Sequence, residues 1–373
     1  MEKGGYTKRR ILGAGMKRRI VRTRAGSLLL GKMPEGCRLC ILGAKMVLFI
    51  TGICERACYY CPLSEHRRGR DVVYANERPV RSVKDVLEEA KLMDALGTGI
   101  TGGDPSLRFE RTVRYIRALK RRFGRRHHIH MYCASGLSGR RLGLLRSAGL
   151  DEIRFHVWDE GPVRDALRAG LRAGVEIPSL PGEERRIVEL MKRLDSVGCN
   201  FVNLNELEFS DTNLDELRKR GFRIRSDESM AVRGSEETGM RVLRWAASHL
   251  SMSVHYCPSS LKDSVQLRNR LIRRARNVMR PHEVMTGEGL LFKGVVLGLP
   301  VRRLPAVRRR LIWRYGIPPE LVAVDREKGR LELHWRVAKE IAPLEAGLRF
   351  ALVEEYPTYD RLETTLIPLN HEV

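Results

Sequence analysis

The stretch MVLFITGICERACYYCP, residues 46–62, decides how this chain is read. An apolar, β-branched run, MVLFIT, leads into three cysteines, Cys54, Cys58 and Cys61, separated by three residues and then by two. Three thiols this close on the tip of a strand suit a disulfide framework, a zinc site or an iron–sulfur cluster. The chain has 373 residues and eight cysteines, and its basic start, MEKGGYTKRR, is followed by no apolar segment of the kind a secretory signal needs. No apolar run approaches the roughly 20 residues that span a bilayer. A cytoplasmic location is therefore expected, and there thiols stay reduced, which argues against disulfides. Zinc sites usually pair cysteines as CxxC with a second pair at a distance. Three ligands at x3 and x2 spacing instead suit a cubane cluster held by three thiolates, with one iron left open to an outside ligand.

Working outward, short β-rich runs at 46–51, 99–101, 129–133, 153–157, 176–179 and 201–205 alternate with helical patterns. SVKDVLEEAKLMDAL opens on Ser82 as N-cap, with Asp85 three residues later, and RFERTVRYIRALKRRF and GPVRDALRAGLRAG carry the same kind of stripe. Six such βα units predict an α/β fold, a partial (β/α)6 TIM-like barrel whose sites lie at the C-terminal ends of the strands. The expected organisation is an N-terminal extension with a CxxC over 1–44, the core barrel over 45–205, a helical segment over 206–283 and a small β-rich domain over 284–373. In the last of these, DREKGR reads as a hairpin turn between alternating strands. The cysteine loop follows the first strand, TGGDP (101–105) the second, and Cys133 ends the third, so all face one rim.

Cys54-x3-Cys58-x2-Cys61, with Tyr60 before the third cysteine, resembles the signature loop of the radical S-adenosylmethionine (SAM) superfamily. The specific resemblance covers about residues 45–205. The whole chain resembles a prokaryotic branch described as related to pyruvate formate-lyase activating enzymes. The resemblance implies that Cys54, Cys58 and Cys61 ligate a [4Fe–4S] cluster whose fourth iron chelates the methionine moiety of SAM. It implies that Tyr60 lies near the adenine, and that Gly102, Gly103 and Asp104 match the Gly-Gly-Glu turn that holds the methionyl ammonium. Asp here replaces the commoner Glu, which puts the Asp104 side-chain role in question. Reductive cleavage of SAM to a 5′-deoxyadenosyl radical, fed by a one-electron donor such as a ferredoxin or flavodoxin, is the implied chemistry.

Further candidates lie on the same rim. Arg154 and His156 on the fourth strand are expected to reach the ribose or carboxylate of SAM, as polar groups there do across the superfamily. Ser179, Asn203 and Asn205 alternate toward a barrel interior, where buried amides need partners. Cys133 is a candidate hydrogen donor to a substrate radical, or else a small buried hydrophobe. Cys37-x2-Cys40 is a metal half-site by spacing, and His255 and Cys257 in HYCP could complete it as zinc or as a second cluster.

Formal net charge is +24, and 55 of the 69 basic residues are Arg. Arg268, Arg270, Arg273, Arg274, Arg276 and Arg280 crowd one helical run, which reads either as a phosphate-binding ridge or as a solvated face. Aromatic content of 6% offers little for base stacking. The substrate thus stays open among three classes: a protein or small cofactor acted on by an activase or maturase, an RNA, or none, if the chain is a non-catalytic iron–sulfur or zinc scaffold.

Overall fold

The structure, a computed structural model, describes residues 18–227 and 229–370; the first 17 residues of the N-terminal extension, its basic start among them, lie outside the described residues. Seven parallel strands form the core: β1 (Lys45–Phe49), β2 (Gly97–Thr101), β3 (His128–Cys133), β4 (Glu152–Phe155), β5 (Arg172–Pro178), β6 (Phe201–Asn205) and β7 (Ser253–Cys257). They lie side by side in that order. The six expected strands are therefore joined by a seventh, which arises within 206–283. That segment also holds an antiparallel pair, Ile224–Ser226 with Ser229–Val232. The hairpin of Ile20–Arg22 and Leu28–Leu30 extends the sheet antiparallel beyond β7, and Tyr74–Ala75 and Arg78–Pro79 extend it beyond β1. β1 and β7 do not pair, so the barrel is partial and open on one side.

Helices cover the outer face. Ser82 and Asp85 form a reciprocal capping box at the start of Val83–Leu92, satisfying end N–H groups that would otherwise lack partners. Phe109–Phe123, Gly139–Ala148, Gly161–Arg168, Glu184–Ser196 and Ser235–His249 bury their apolar stripes on the sheet to make one continuous core. One further helix, α1 (Glu35–Ile41), instead lies against the barrel interior. A Cβ on its Gly36 would come within 2.4 Å of the His130 ring and 2.6 Å of the Arg154 guanidinium. Only glycine lets the helix lie so close.

The C-terminal region folds on a core of its own. It holds β8 (Leu291–Leu297), β9 (Val322–Asp325), β10 (Arg330–Leu333), β11 (Arg349–Glu355) and β12 (Glu363–Pro368), in the antiparallel order β9-β10-β8-β11-β12. β9 and β10 pair Asp325 with Arg330 across the turn that DREKGR suggested. Helices Leu304–Tyr315 and Trp335–Ile341 pack on this sheet. A buried ion network ties it to the barrel side: the Lys293 ammonium meets Glu283 at 2.9 Å, Glu332 at 2.6 Å and Glu355 at 2.7 Å. Among the described residues no helix is long and apolar enough to cross a membrane.

Candidate functional site

The turn after β1 carries the three cysteines. Gly52 begins it because nothing larger fits: a Cβ there would overlap the Arg67 carbonyl oxygen at 1.6 Å. The backbone of the turn after β2 locks onto it, the Gly103 N–H donating to Thr51 O at 2.7 Å and the Asp104 N–H to Ile53 O at 2.8 Å. Cys54 is exposed, Cys58 and Cys61 are half-buried, and all three thiols are free. Three unpaired thiols at a rim, on a backbone fixed by glycines, are a donor set suited to an iron–sulfur cluster with an accessible face.

The aromatics of the loop are anchored from below and from the side. The Tyr60 hydroxyl lies 2.8 Å from His156 Nε2, and His156 Nδ1 lies 2.9 Å from the Glu176 backbone oxygen. Burial holds the His156 imidazole below its ordinary pKa, which favours the neutral ring. Asn213 and Thr212 donate to the Tyr60 and Cys61 carbonyls. Tyr59 stacks on Phe222, and Arg56 reaches across to the Ala134 carbonyl at 3.0 Å.

Several sequence candidates are placed differently from expectation. The Asp104 carboxylate accepts from the Ser106 and Ala134 N–H groups and from the Ser135 hydroxyl, so it organises the turn after β3 instead of facing the rim. Cys133 packs in the core on the helix side of β3, its thiol bonded to Ser135 O at 2.9 Å and pushed up by burial to about 12. This corrects its assignment as a hydrogen donor: neighbouring Tyr132 lines the lumen cavity, and strand alternation turns Cys133 outward. Ser179 is likewise spent, bonding Asn205 O and the Ser235 hydroxyl to tie β5 to the following elements. Arg154 is fully buried and bonds Glu152 and Glu176, well inside the barrel and not at its rim.

The lumen below the rim is polar. Glu176 is its centre: Arg154 at 2.9 Å, Asn203 at 2.8 Å and Asn205 at 3.0 Å all donate to its carboxylate. Burial would raise this carboxyl, but the Arg154 guanidinium and the two amides outweigh it and hold it at about 2. Lys45, His130, Tyr132 and Glu176 were not singled out in the sequence, although a charged residue inside an apolar strand such as AGVEIP is a usable signal. Cys37, Cys40, His255 and Cys257 all border one cavity of about 200 Å³ here.

The arginine helix, Arg268–Val278, is not an open cationic ridge. Arg270 pairs with Glu77, Arg273 with Asp94, Arg274 with buried Glu89 and Arg268 with Glu288, and Arg280 just beyond pairs with Glu332. The run fastens the post-barrel segment to the sheet edge.

A thiol-bearing turn at the C-terminal end of the first strand of a partial parallel barrel, braced by a Gly-Gly turn after the second, defines the radical SAM class. Comparison with known proteins agrees: the radical SAM superfamily matches residues 48–159, and a domain of unknown function (DUF8061) matches 289–369. The chain belongs to the radical SAM superfamily. It is 46% identical over 281 residues, 71% of this chain and 74% of the relative, to a Methanocaldococcus jannaschii protein named as a candidate glycyl-radical enzyme activating enzyme. Solved structures with similarity include Streptococcus suis SuiB bound to S-adenosylmethionine, at 10% identity over 58% of this chain and 50% of that one, TM-score 0.41. The FeFe-hydrogenase maturase HydG from Carboxydothermus hydrogenoformans matches at 18% identity over 46% of each chain, TM-score 0.34. The chain thus spans about half the length of these solved structures. It is a radical SAM enzyme, and its family binds a [4Fe–4S] cluster and SAM.

Proposed function

We propose that Cys54, Cys58 and Cys61 ligate the [4Fe–4S] cluster and that the chain acts as an activase, taking a hydrogen atom from a protein substrate. When bound, cluster and SAM together supply a 5′-deoxyadenosyl radical by one-electron reductive cleavage. The chain's own residues hold and shield that pair. Gly102 and Gly103 bring backbone close to the methionyl end; Tyr60, fixed by His156, borders the adenine; Asn203, Asn205 and Arg154 hold Glu176 ionised beneath them. A ferredoxin or flavodoxin is the proposed electron donor.

The observation that carries the reading is the braced turn itself: three free thiols on a loop whose backbone is bonded to the Gly-Gly turn of the next strand. The activase assignment is supported by the relative of similar length and 46% identity. An RNA substrate draws no support from the arginine helix, whose guanidinium groups are mostly paired with carboxylates.

Anaerobic reconstitution with iron, sulfide, reductant and SAM tests the chemistry, with 5′-deoxyadenosine expected as product. Cys58→Ala is expected to lose both the brown colour and SAM cleavage; unchanged cleavage would remove Cys58 from the ligand set. Trapping with candidate protein partners tests the substrate class: a stable radical on a partner supports the activase, and product formed only with a metabolite extract or host RNA refutes it.

A further inference from the structure

Two segments more than 200 residues apart converge in the barrel lumen. Cys37 and Cys40 are three residues apart on α1 and share one of its faces. His255 and Cys257 are two residues apart on β7 and share one side of the sheet. All four border the same cavity of about 200 Å³. Cys37, His255 and Cys257 are each more than 90% buried, and every thiol is free.

Two features show that this cavity is built for an occupant. Both ring nitrogens of His255 are buried with no partner in good hydrogen-bond geometry, the Cys37 thiol being the group beside the ring, and the Asn203 Oδ1 atom is buried without a partner. Buried polar atoms left unsatisfied are destabilising, so a bound group is their natural partner. In addition, the Cys37 sulfur accepts N–H groups from Asn203 at 3.2 Å and Arg154 at 3.4 Å. A thiol is a weak acceptor; two donors aimed at one sulfur suit a thiolate.

Charge gives the same answer. Lys45, Arg154 and Lys262 line the cavity against Glu176 alone, so its lining carries an excess of positive charge. Lys45 is the cation with no carboxylate partner among the described residues. Three thiolates with a cluster core of charge +2, or with a single dication, sum to −1, a charge that suits this positive lining.

Spacing separates these two centres. A tetrahedral zinc site brings sulfurs to about 3.8 Å of one another, given bonds near 2.3 Å. Among the described residues the one group of three or more such donors within 4.8 Å is His282, Glu283 and Glu332, where Lys293 already neutralises the carboxylates. No three of the four lumen donors lie that close to one another, and neither do the three thiols of the Cys54 turn. We infer that the lumen binds a second iron–sulfur cluster, with Cys37, Cys40 and Cys257 as thiolate ligands and His255 as the fourth donor.

The test uses the full chain with Cys54→Ala, Cys58→Ala and Cys61→Ala combined. These residues lie on a solvent-facing turn, so the fold should survive, and a thermal melt checks it. After anaerobic reconstitution the triple variant should keep about half of the wild-type iron and acid-labile sulfide, roughly four irons per chain, with a brown absorption and an electron paramagnetic resonance signal on reduction. Adding Cys37→Ser and Cys257→Ser should remove both. His255→Cys, which keeps four donors, should retain the iron with an altered signal. Iron at background in the folded triple variant overturns the inference. So does about one zinc per chain in place of iron and sulfide, which would make the site mononuclear. Because the triple variant lacks the Cys54 turn, its iron content is independent of whether the wild type cleaves SAM.

Discussion

Gly103→Ala probes how the turn after β2 fixes the cysteine loop. Gly103 donates to Thr51 O at 2.7 Å, so its backbone cannot easily move away. A Cβ built there lies 2.4 Å from Ile53 O, 2.7 Å from Ile53 C and 2.8 Å from Gly52 O. All three atoms are backbone, and none can swing aside as a side-chain tip would. Ordinary contact starts at 3.4 Å, so the two turns must part by about 1 Å. The residue pushed is Ile53, which directly precedes Cys54. A shift of that size in a positioning element costs on the order of 100-fold in rate, and the overpacking about 1–3 kcal/mol in stability. The assay is 5′-deoxyadenosine formation per reconstituted cluster, with iron measured on the same sample. Iron near the wild-type level and a rate lowered about 100-fold are expected. Gly139→Ala is the control, since nothing lies within 4 Å of its added Cβ. A Gly103→Ala rate within about threefold of wild type would show that the Gly-Gly contact does not position the site.

Other perturbations read other parts of the molecule. Tyr60→Phe removes the 2.8 Å bond to His156, worth about 1 kcal/mol, so the KM for SAM should rise about fivefold with iron content unchanged; an unchanged KM contradicts the adenine-side role. Lys293→Met strips the shared cation from Glu283, Glu332 and Glu355 and should cost about 3–5 kcal/mol in urea unfolding of the C-terminal region; a loss under about 1 kcal/mol would mean the neighbouring arginines compensate. Glu176, held at about 2, sits below its unfolded value near 4.3, so its stabilisation is complete above that value and is lost as pH falls toward 2. Melting temperatures measured from pH 7 down to pH 3 should therefore fall less steeply below pH 4.5 for Glu176→Gln than for the wild type, and parallel curves would refute the linkage.

The cysteine loop and six of the parallel strands were legible because each depends on local pattern, either ligand spacing or an apolar run ended by a turn. β7 was not, because in SVHYC only Val254 and Tyr256 join the main apolar core, and its strand state comes from pairing with β6. Charged lumen residues were hidden for a similar reason. Glu176 and Arg154 are 22 positions apart, and nothing local reveals that they bond. The arginine helix misled in the opposite direction, since its partners Glu77, Glu89 and Asp94 come from the far edge of the sheet. Cys133 is different: with Tyr132 turned toward the lumen, alternation alone assigns Cys133 to the outer face.

The rim and the lumen are built from different materials, and this bears on how the enzyme could diversify. At the rim the decisive contacts are backbone to backbone, Gly103 to Thr51 and Asp104 to Ile53, and they require only that glycine leave room. In the lumen the decisive contacts are between side chains, Arg154 and Asn203 to Glu176 and to Cys37. Side-chain networks tolerate exchange only as sets, because removing one member leaves a buried charge or amide unpaired. Single lumen substitutions should therefore act first on stability. Only coordinated changes in α1, β4, β5, β6 and β7 would re-form the cavity while leaving the cysteine turn unaltered.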